Sequence, residues 1–200
     1  MLTTILNFLK FLGFLLTLPV LISVTGNFVE VLRDIPSEGM DYFLRGAGSL
    51  FILHLFILEI RPVYEFGQKT VATILKFSPA LASPVTLILP IYCFFFLVVL
   101  HLAQFWFDYP SLIKFCLFAV GFSLSLHLVY TADALRGSGK GDLTNYYFSM
   151  SLIYILDLLL VLIWLDLIFE NMPVSKLAGM MWSDASQMYH MIYKHLFVWR

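Results

Sequence analysis

Charge is what this sequence has least of. Of its 200 residues only 12% are Asp, Glu, Lys or Arg, while 60% are apolar. A soluble domain carries about a quarter charged residues and roughly half apolar ones. Twelve cations and 13 anions spread over the chain cannot supply a hydrated surface. That excludes an ordinary soluble domain and points to lipid as the solvent. No two Lys or Arg residues are adjacent and the net charge is −1, so nucleic acid has no electrostatic footprint to meet.

Other absences close off chemistry. The two cysteines, Cys93 and Cys116, lie inside apolar segments without metal-ligand spacing and read as buried thiols. There is no H-E-x-x-H. In His54-Leu-Phe-Ile-Leu-Glu59 the Glu falls roughly 140° round a helix from the His, so a zinc intramembrane protease is not indicated. There is no G-x-S-x-G and no phosphate loop; Gly137-Ser-Gly139-Lys140-Gly141 is a flexible turn. The expectation is a protein that is not itself an enzyme.

What is present is a series of apolar runs. They predict an all-α, polytopic bundle of about five transmembrane helices over residues 1–173, with spans at 5–24, 42–60, 85–107, 112–132 and 146–169. The first run has no A-x-A site after it and reads as a retained span, not a signal peptide, with a kink at Pro19. Residues 26–40 read as a water-exposed connection. Gly46 and Gly48 offer a place for another helix to approach closely. Arg61-Pro62 ends the second span, and residues 63–77 read as an amphipathic helix in the interface. Pro79 and Pro84 precede the third span, which contains Pro90. Asp108-Tyr109-Pro110-Ser111 predicts a tight turn, and Asn171-Met172-Pro173 stops the fifth span.

Residues 174–200 read as an amphipathic tail that is interfacial or partner-binding and does not cross. Its apolar residues Leu177, Met181, Met188, Ile192 and Leu196 are interrupted by Asp184, Ser186, Gln187, His190 and Lys194, and Trp182, Tyr189, Tyr193 and Trp199 favour headgroups. Arg61, Lys69, Lys76, Arg136 and Lys140 in the connections after spans two and four favour placing those connections and the N-terminus in the cytoplasm, with the tail outside; Lys176, Lys194 and Arg200 in the tail remove most of that bias. The expected location is a bacterial inner membrane or an equivalent energy-transducing membrane.

Ionisable residues at membrane depth cost roughly 2.5–3.5 kcal/mol for Asp at a helix centre, so they call for a reason. Asp157 stands in the middle of span five, with Tyr154 one turn back and Tyr146 further back on its face. It reads either as a proton or ion ligand or as a hydrogen-bonded carboxyl that holds span five to its neighbours, the latter favoured. Asp166 needs no role. Span four carries Ser123, His127, Tyr130 and Thr131 on one face; span three carries His101 and Gln104, with Asp108 following. His54 and His127 lie at matching positions in spans two and four, roughly 9 Å from one interface at 1.5 Å per residue. Two histidines at equal depth are what bis-histidyl haem b ligation requires.

Five spans in about 200 residues with intramembrane histidines is a plan similar to that of the cytochrome b anchors of fumarate reductase-type complexes. The likeness is architectural and carries no site assignment. Three functions fit the residues. The first is a non-catalytic membrane subunit that anchors, scaffolds or assembles a larger complex, with lipid and other membrane subunits as partners. The second is an electron-transfer anchor holding haem b at His54 and His127 beside a quinone. The third is a small carrier or a proton- or ion-conducting subunit built on Asp157.

Overall fold

The computed structural model of the chain describes residues 2–35, 38–56, 59–78, 85–104, 110–138, 143–169 and 174–197. Regular structure among them is helical throughout. The elements are α1 (Leu2–Asp34), α2 (Gly39–Phe56), α3 (Arg61–Ile74) continued by a 3-10 turn (Leu75–Phe77), α4 (Ile91–Gln104), α5 (Pro110–Ser138), α6 (Leu143–Phe169) and α7 (Val174–Phe197). Three helices, Thr4–Asp34, Pro110–Gly137 and Leu143–Phe169, are long and apolar enough to cross a membrane, and Ile91–Ala103 is a shorter apolar helix. Phe8, Leu16, Phe51, Leu55, Phe95 and Leu167 face outward. Acyl chains wet such a surface and water does not.

Two seams organise the packing. α2 lies along α5 in parallel: Gly46 meets the Phe118 carbonyl, Gly121 meets that of Phe43, and further on His54 meets Tyr130. A Cβ on Gly46 would stand 1.9 Å from the Phe118 oxygen, and one on Gly121 would stand 2.1 Å from the Phe43 oxygen. Only hydrogen fits there. A Cβ on Gly48 meets nothing within 4 Å, so of the two glycines noted in the sequence Gly46 alone admits a helix. α4 runs antiparallel to α5, with Cys93 near Val120 and Phe96 near Phe115.

On the other side α1 lies parallel to α6, joined by Lys10 to Asn145 at 2.9 Å, Thr17 to Ser151 at 3.1 Å and Thr25 to Tyr154 at 3.2 Å. α7 turns back along α1. Ser23 donates to the Met181 carbonyl at 2.9 Å, the Asn27 amide donates to Asp184 at 3.1 Å, and the Tyr189 hydroxyl donates to the Leu16 carbonyl. Leu177 and Ala185 are buried by this contact, whereas Trp182, Ile192 and Leu196 are exposed.

Several boundaries differ from those expected. α1 continues ten residues beyond residue 24, through what the polar residues suggested was a water-exposed connection. Phe28, Val31, Leu32 and Ile35 recur at helical spacing and are all buried in the main core, which outweighs Glu30, Arg33 and Asp34 on the opposite side. α1 also passes through Pro19 without interruption. Pro62 starts α3, where its missing N–H is harmless; α2 is described to Phe56 and residues 59 and 60 are not helical, so Arg61-Pro62 marks the beginning of a helix and not the end of the second span. The third run is broken: residues 85–88 form a helical turn, Leu89 and Pro90 leave it, and α4 starts at Ile91. Proline removes a donor and clashes with the carbonyl four residues back; the helix breaks at Pro90, whereas α1 carries Pro19 through. α5 reaches Ser138 and takes in Arg136 and Gly137 from the expected loop. Pro36, Ser37, Pro79, Pro84, Asp108, Tyr109, residues 139–142, residues 171–173, Trp199, Arg200 and the side chain of Gln104 lie outside the described residues.

A candidate site around Asp157 and His127

Asp157 is fully buried on α6, and neither carboxylate oxygen takes a hydrogen bond among the described residues. The group opposite is His127 of α5, also buried, with Nε2 3.5 Å from Asp157 Oδ2. That distance is within reach of an ion pair but too long for a strong hydrogen bond. His127 Nε2 is also 3.1 Å from the Leu87 carbonyl. A carbonyl and a carboxylate both accept, so Nε2 carries the proton. The break at Pro90 supplies that carbonyl, because Leu87 belongs to the short turn that ends there. Non-helical backbone at membrane depth persists only where protein or a cavity satisfies it.

α3 covers this pair from one side. Gly67 lets α3 close on α4, since a Cβ there would stand 2.8 Å from Ile91 and Tyr92 side-chain atoms. Tyr64 then reaches inward, with its hydroxyl 3.1 Å from Thr131 and its ring stacked on Tyr130 at 5.5 Å and tilted against His127 at 6.1 Å. Burial pushes the Tyr64 hydroxyl above the usual phenol range, with the Thr131 hydroxyl pulling the other way. It therefore stays neutral. Tyr92 donates to the Val63 carbonyl at 2.6 Å and fixes α3 to α4. A narrow cavity bounded by Tyr64, Gln68, Tyr92, Ser123 and His127 lies between these elements.

Tyr130 continues the cluster outward. Its ring meets His54 edge-on at 5.9 Å, with the hydroxyl 3.4 Å from His54 Nδ1. Beyond it opens a cavity of about 700 Å³ lined by His54, Glu59, Arg61, Tyr130 and Asp133, among others. Arg61 of α3 pairs with Asp133 of α5 at its edge. Polar groups thus run from an open cavity through Tyr130 and Tyr64 to His127 and Asp157.

The sequence-derived candidates fall into three groups. Ser123, His127, Tyr130 and Asp157 come together with His54 at the outer end. Tyr154 does not join them, because its hydroxyl turns to Thr25 of α1. His101, half-buried on α4, lines neither cavity. His54 meets the Tyr130 ring, Tyr130 stacks on Tyr64, and Tyr64 meets His127, so two tyrosine rings link the two histidines. Among the described residues no group of three or more His, Cys, Asp or Glu is placed to hold a metal ion. The residues missed from sequence are Tyr64, Tyr92, Gln68 and the Leu87 carbonyl, along with the pairing of Arg61 to Asp133. Pro90 was the one signal that could have found the carbonyl. Comparison with protein-family models, with curated proteins and with solved structures finds no match to this chain.

Proposed function

We propose that this chain is a small integral membrane protein that crosses the bilayer five times and handles protons or ions through Asp157 and His127. Support for five crossings comes from the seams. α2 runs beside α5 from Phe43 to His54, roughly 17 Å at 1.5 Å per residue, so it shares the depth of a helix that is long enough to span. α4 is packed antiparallel on α5 at the same depth. With α1, α2, α4, α5 and α6 crossing in turn, α1 and α6 run the same way, as do α2 and α5.

One observation carries the functional reading: a fully buried carboxyl that, among the described residues, has no hydrogen-bond donor and an imidazole opposite. A carboxyl retained only to join helices is expected to be held by donors, and an amide would serve as well. The pair holds its proton either as acid and neutral imidazole or as carboxylate and imidazolium, at the same net charge. Taking up or giving away a further proton changes the charge of the site, which is the property a proton-coupled path needs.

Infrared difference spectroscopy of the purified full chain tests this. A protonated-carboxyl band that responds to pH between about 5 and 8, vanishes in Asp157→Asn and shifts in His127→Gln is the expected result. A band unmoved by pH, in a protein whose Asp157→Asn variant melts and behaves like the parent, would favour a purely adhesive carboxyl and sink the reading.

A second reading has its own observation. The last turns of α7, from His190 to Phe197, are exposed along their length, with Ile192, Tyr193, Leu196 and Phe197 outward. A membrane subunit that anchors or assembles a larger complex presents a helix in this way to another subunit or to headgroups.

A further inference from the structure

Between α3, α4 and α5 a groove of about 360 Å³ opens on the outer face of the bundle. Its walls are almost wholly apolar and mostly aromatic, formed by Tyr92, Phe96, Phe115, Phe118, Phe122 and neighbouring aliphatic side chains. Its inner end is Tyr92, Ser123 and Leu126, and these three also bound the narrow cavity in front of His127. The groove therefore ends against side chains that also wall the cavity in front of the imidazole facing Asp157.

Charge decides what fits it. Among the described residues no Lys or Arg lines the groove or the narrow cavity. Behind His127 lies a buried acid, Asp157, with neither oxygen hydrogen-bonded among the described residues. Once the pair has given up its proton, an anionic head is repelled there. A neutral lipid tail would fill the walls and gain nothing from the inner end. A cation carried on an apolar, aromatic body matches both parts: ring faces attract it along the walls, and the carboxylate attracts it from the end. From this complementarity we propose that the groove is a binding site for lipophilic cations, entered sideways from the bilayer, whose occupancy competes with protons at the Asp157–His127 pair. The proposal rests on the proton-handling reading above and names the substrate class of that site.

Among the described residues, three titratable groups face Asp157 from the elements packed round it: His127 of α5, Tyr64 of α3 and Cys93 of α4. On its own helix Tyr154 is turned to α1. Competition follows from the carboxyl itself. Protonation removes the negative charge, so cation binding weakens as pH falls; binding of the cation displaces a proton.

Equilibrium binding of tetraphenylphosphonium to the full chain in detergent provides the test, with neutral triphenylphosphine oxide as the uncharged comparison. Saturable binding that weakens on acidification is expected, as is proton release on binding. Roughly tenfold or more loss of affinity is expected in Asp157→Asn, with a comparable loss in Ala119→Leu, which fills the groove and leaves the carboxyl in place. Equal binding of the neutral compound, or unchanged affinity in a folded Asp157→Asn protein, overturns the cation site. Absence of binding by a protein whose carboxyl band titrates overturns it too and leaves the proton reading standing. A carboxyl that never titrates overturns the reading beneath it.

Discussion

The α2–α5 seam and the α1 seam hold helices together by opposite means. At Gly46 and Gly121 the helices of the first meet backbone to backbone, and no polar side chain is needed at the crossing. Along α1 contact is made through side chains: Thr17 and Thr25 reach α6, and Ser23, Asn27 and Tyr189 join α1 to α7. Lipid tails are as apolar as leucine, so neither seam gains from a hydrophobic effect. The first gains from dispersion at close range, where a single methyl group is too large. The second gains from hydrogen bonds averaging about 0.6 kcal/mol each in bilayers, and it tolerates the loss of any one of them.

The sharpest break of this contrast is Gly46→Leu or Gly121→Leu. The added carbon meets carbonyl oxygen and backbone carbon, which cannot rotate away as a side-chain tip can. Overpacking a core costs about 1–3 kcal/mol when neighbours adjust; here α2 must leave α5, so a loss above that range is expected. Because His54 and Tyr130 meet on the same seam, the outer cavity should open as well. Thermal unfolding in detergent, followed by size exclusion, reads the outcome. A Gly46→Leu protein that melts with the parent would show that the close crossing contributes nothing.

Single changes on the polar seam should do less. Asn27→Ala removes the amide that donates to Asp184 and to the Ser23 carbonyl, and a loss nearer the maximum of about 1.7 kcal/mol is expected because one acceptor is a carboxylate. Thr17→Val and Thr25→Val each remove one hydroxyl pair to α6, and about 0.6 kcal/mol apiece is expected, close to additive since the sites are two turns apart. Melting of the single and double variants in one detergent checks this. A Thr17→Val effect as large as that of Gly46→Leu would remove the distinction between the seams.

The two seams were unequally legible in the sequence. The apolar runs gave the apolar centres of α5 and α6, though α5 continues past the expected end at 132 to Ser138, and Gly46 announced itself as a small residue in an apolar span. Gly121 did not, because a small residue marks a close approach only when its partner is known. Polar residues at 26–34 suggested water, yet the spacing of Phe28, Val31, Leu32 and Ile35 was the better guide to α1. Asp157 and His127 were each singled out for their depth, while their meeting depends on which helix faces which, and nothing within one helix encodes that. Tyr154 shows the same limit from the other side. One turn from Asp157, it belongs by periodicity to the same stripe, but α6 is wedged between α1 and α5 and divides the stripe between them. The Leu87 carbonyl was hidden for a different reason: backbone groups become ligands only where a helix is broken, and Pro90 was read as lying inside an unbroken span.

The smallest expected effect sharpens the comparison most. Gly48 is two residues from Gly46 on the same helix, with the same propensity and the same cost of ordering, so the two differ only in what lies beyond the α-carbon. At Gly46 that is the backbone of α5; at Gly48 nothing lies within 4 Å. Glycine inside a helix is less stable than alanine by roughly 0.5–1 kcal/mol, through backbone entropy alone. Gly48→Ala should therefore leave the protein as stable as before or raise its stability by up to about 1 kcal/mol, seen as a melting temperature that is unchanged or a few degrees higher. The pair of variants separates two explanations that either one alone leaves confounded. If glycine served α2 as a general softener of the helix, Gly46→Ala and Gly48→Ala would move together. If it serves as the point where α5 is admitted, Gly46→Ala destabilises and Gly48→Ala does not. Destabilisation by Gly48→Ala comparable to that by Gly46→Ala would mean that a further helix, from a second chain, occupies the face that is open here.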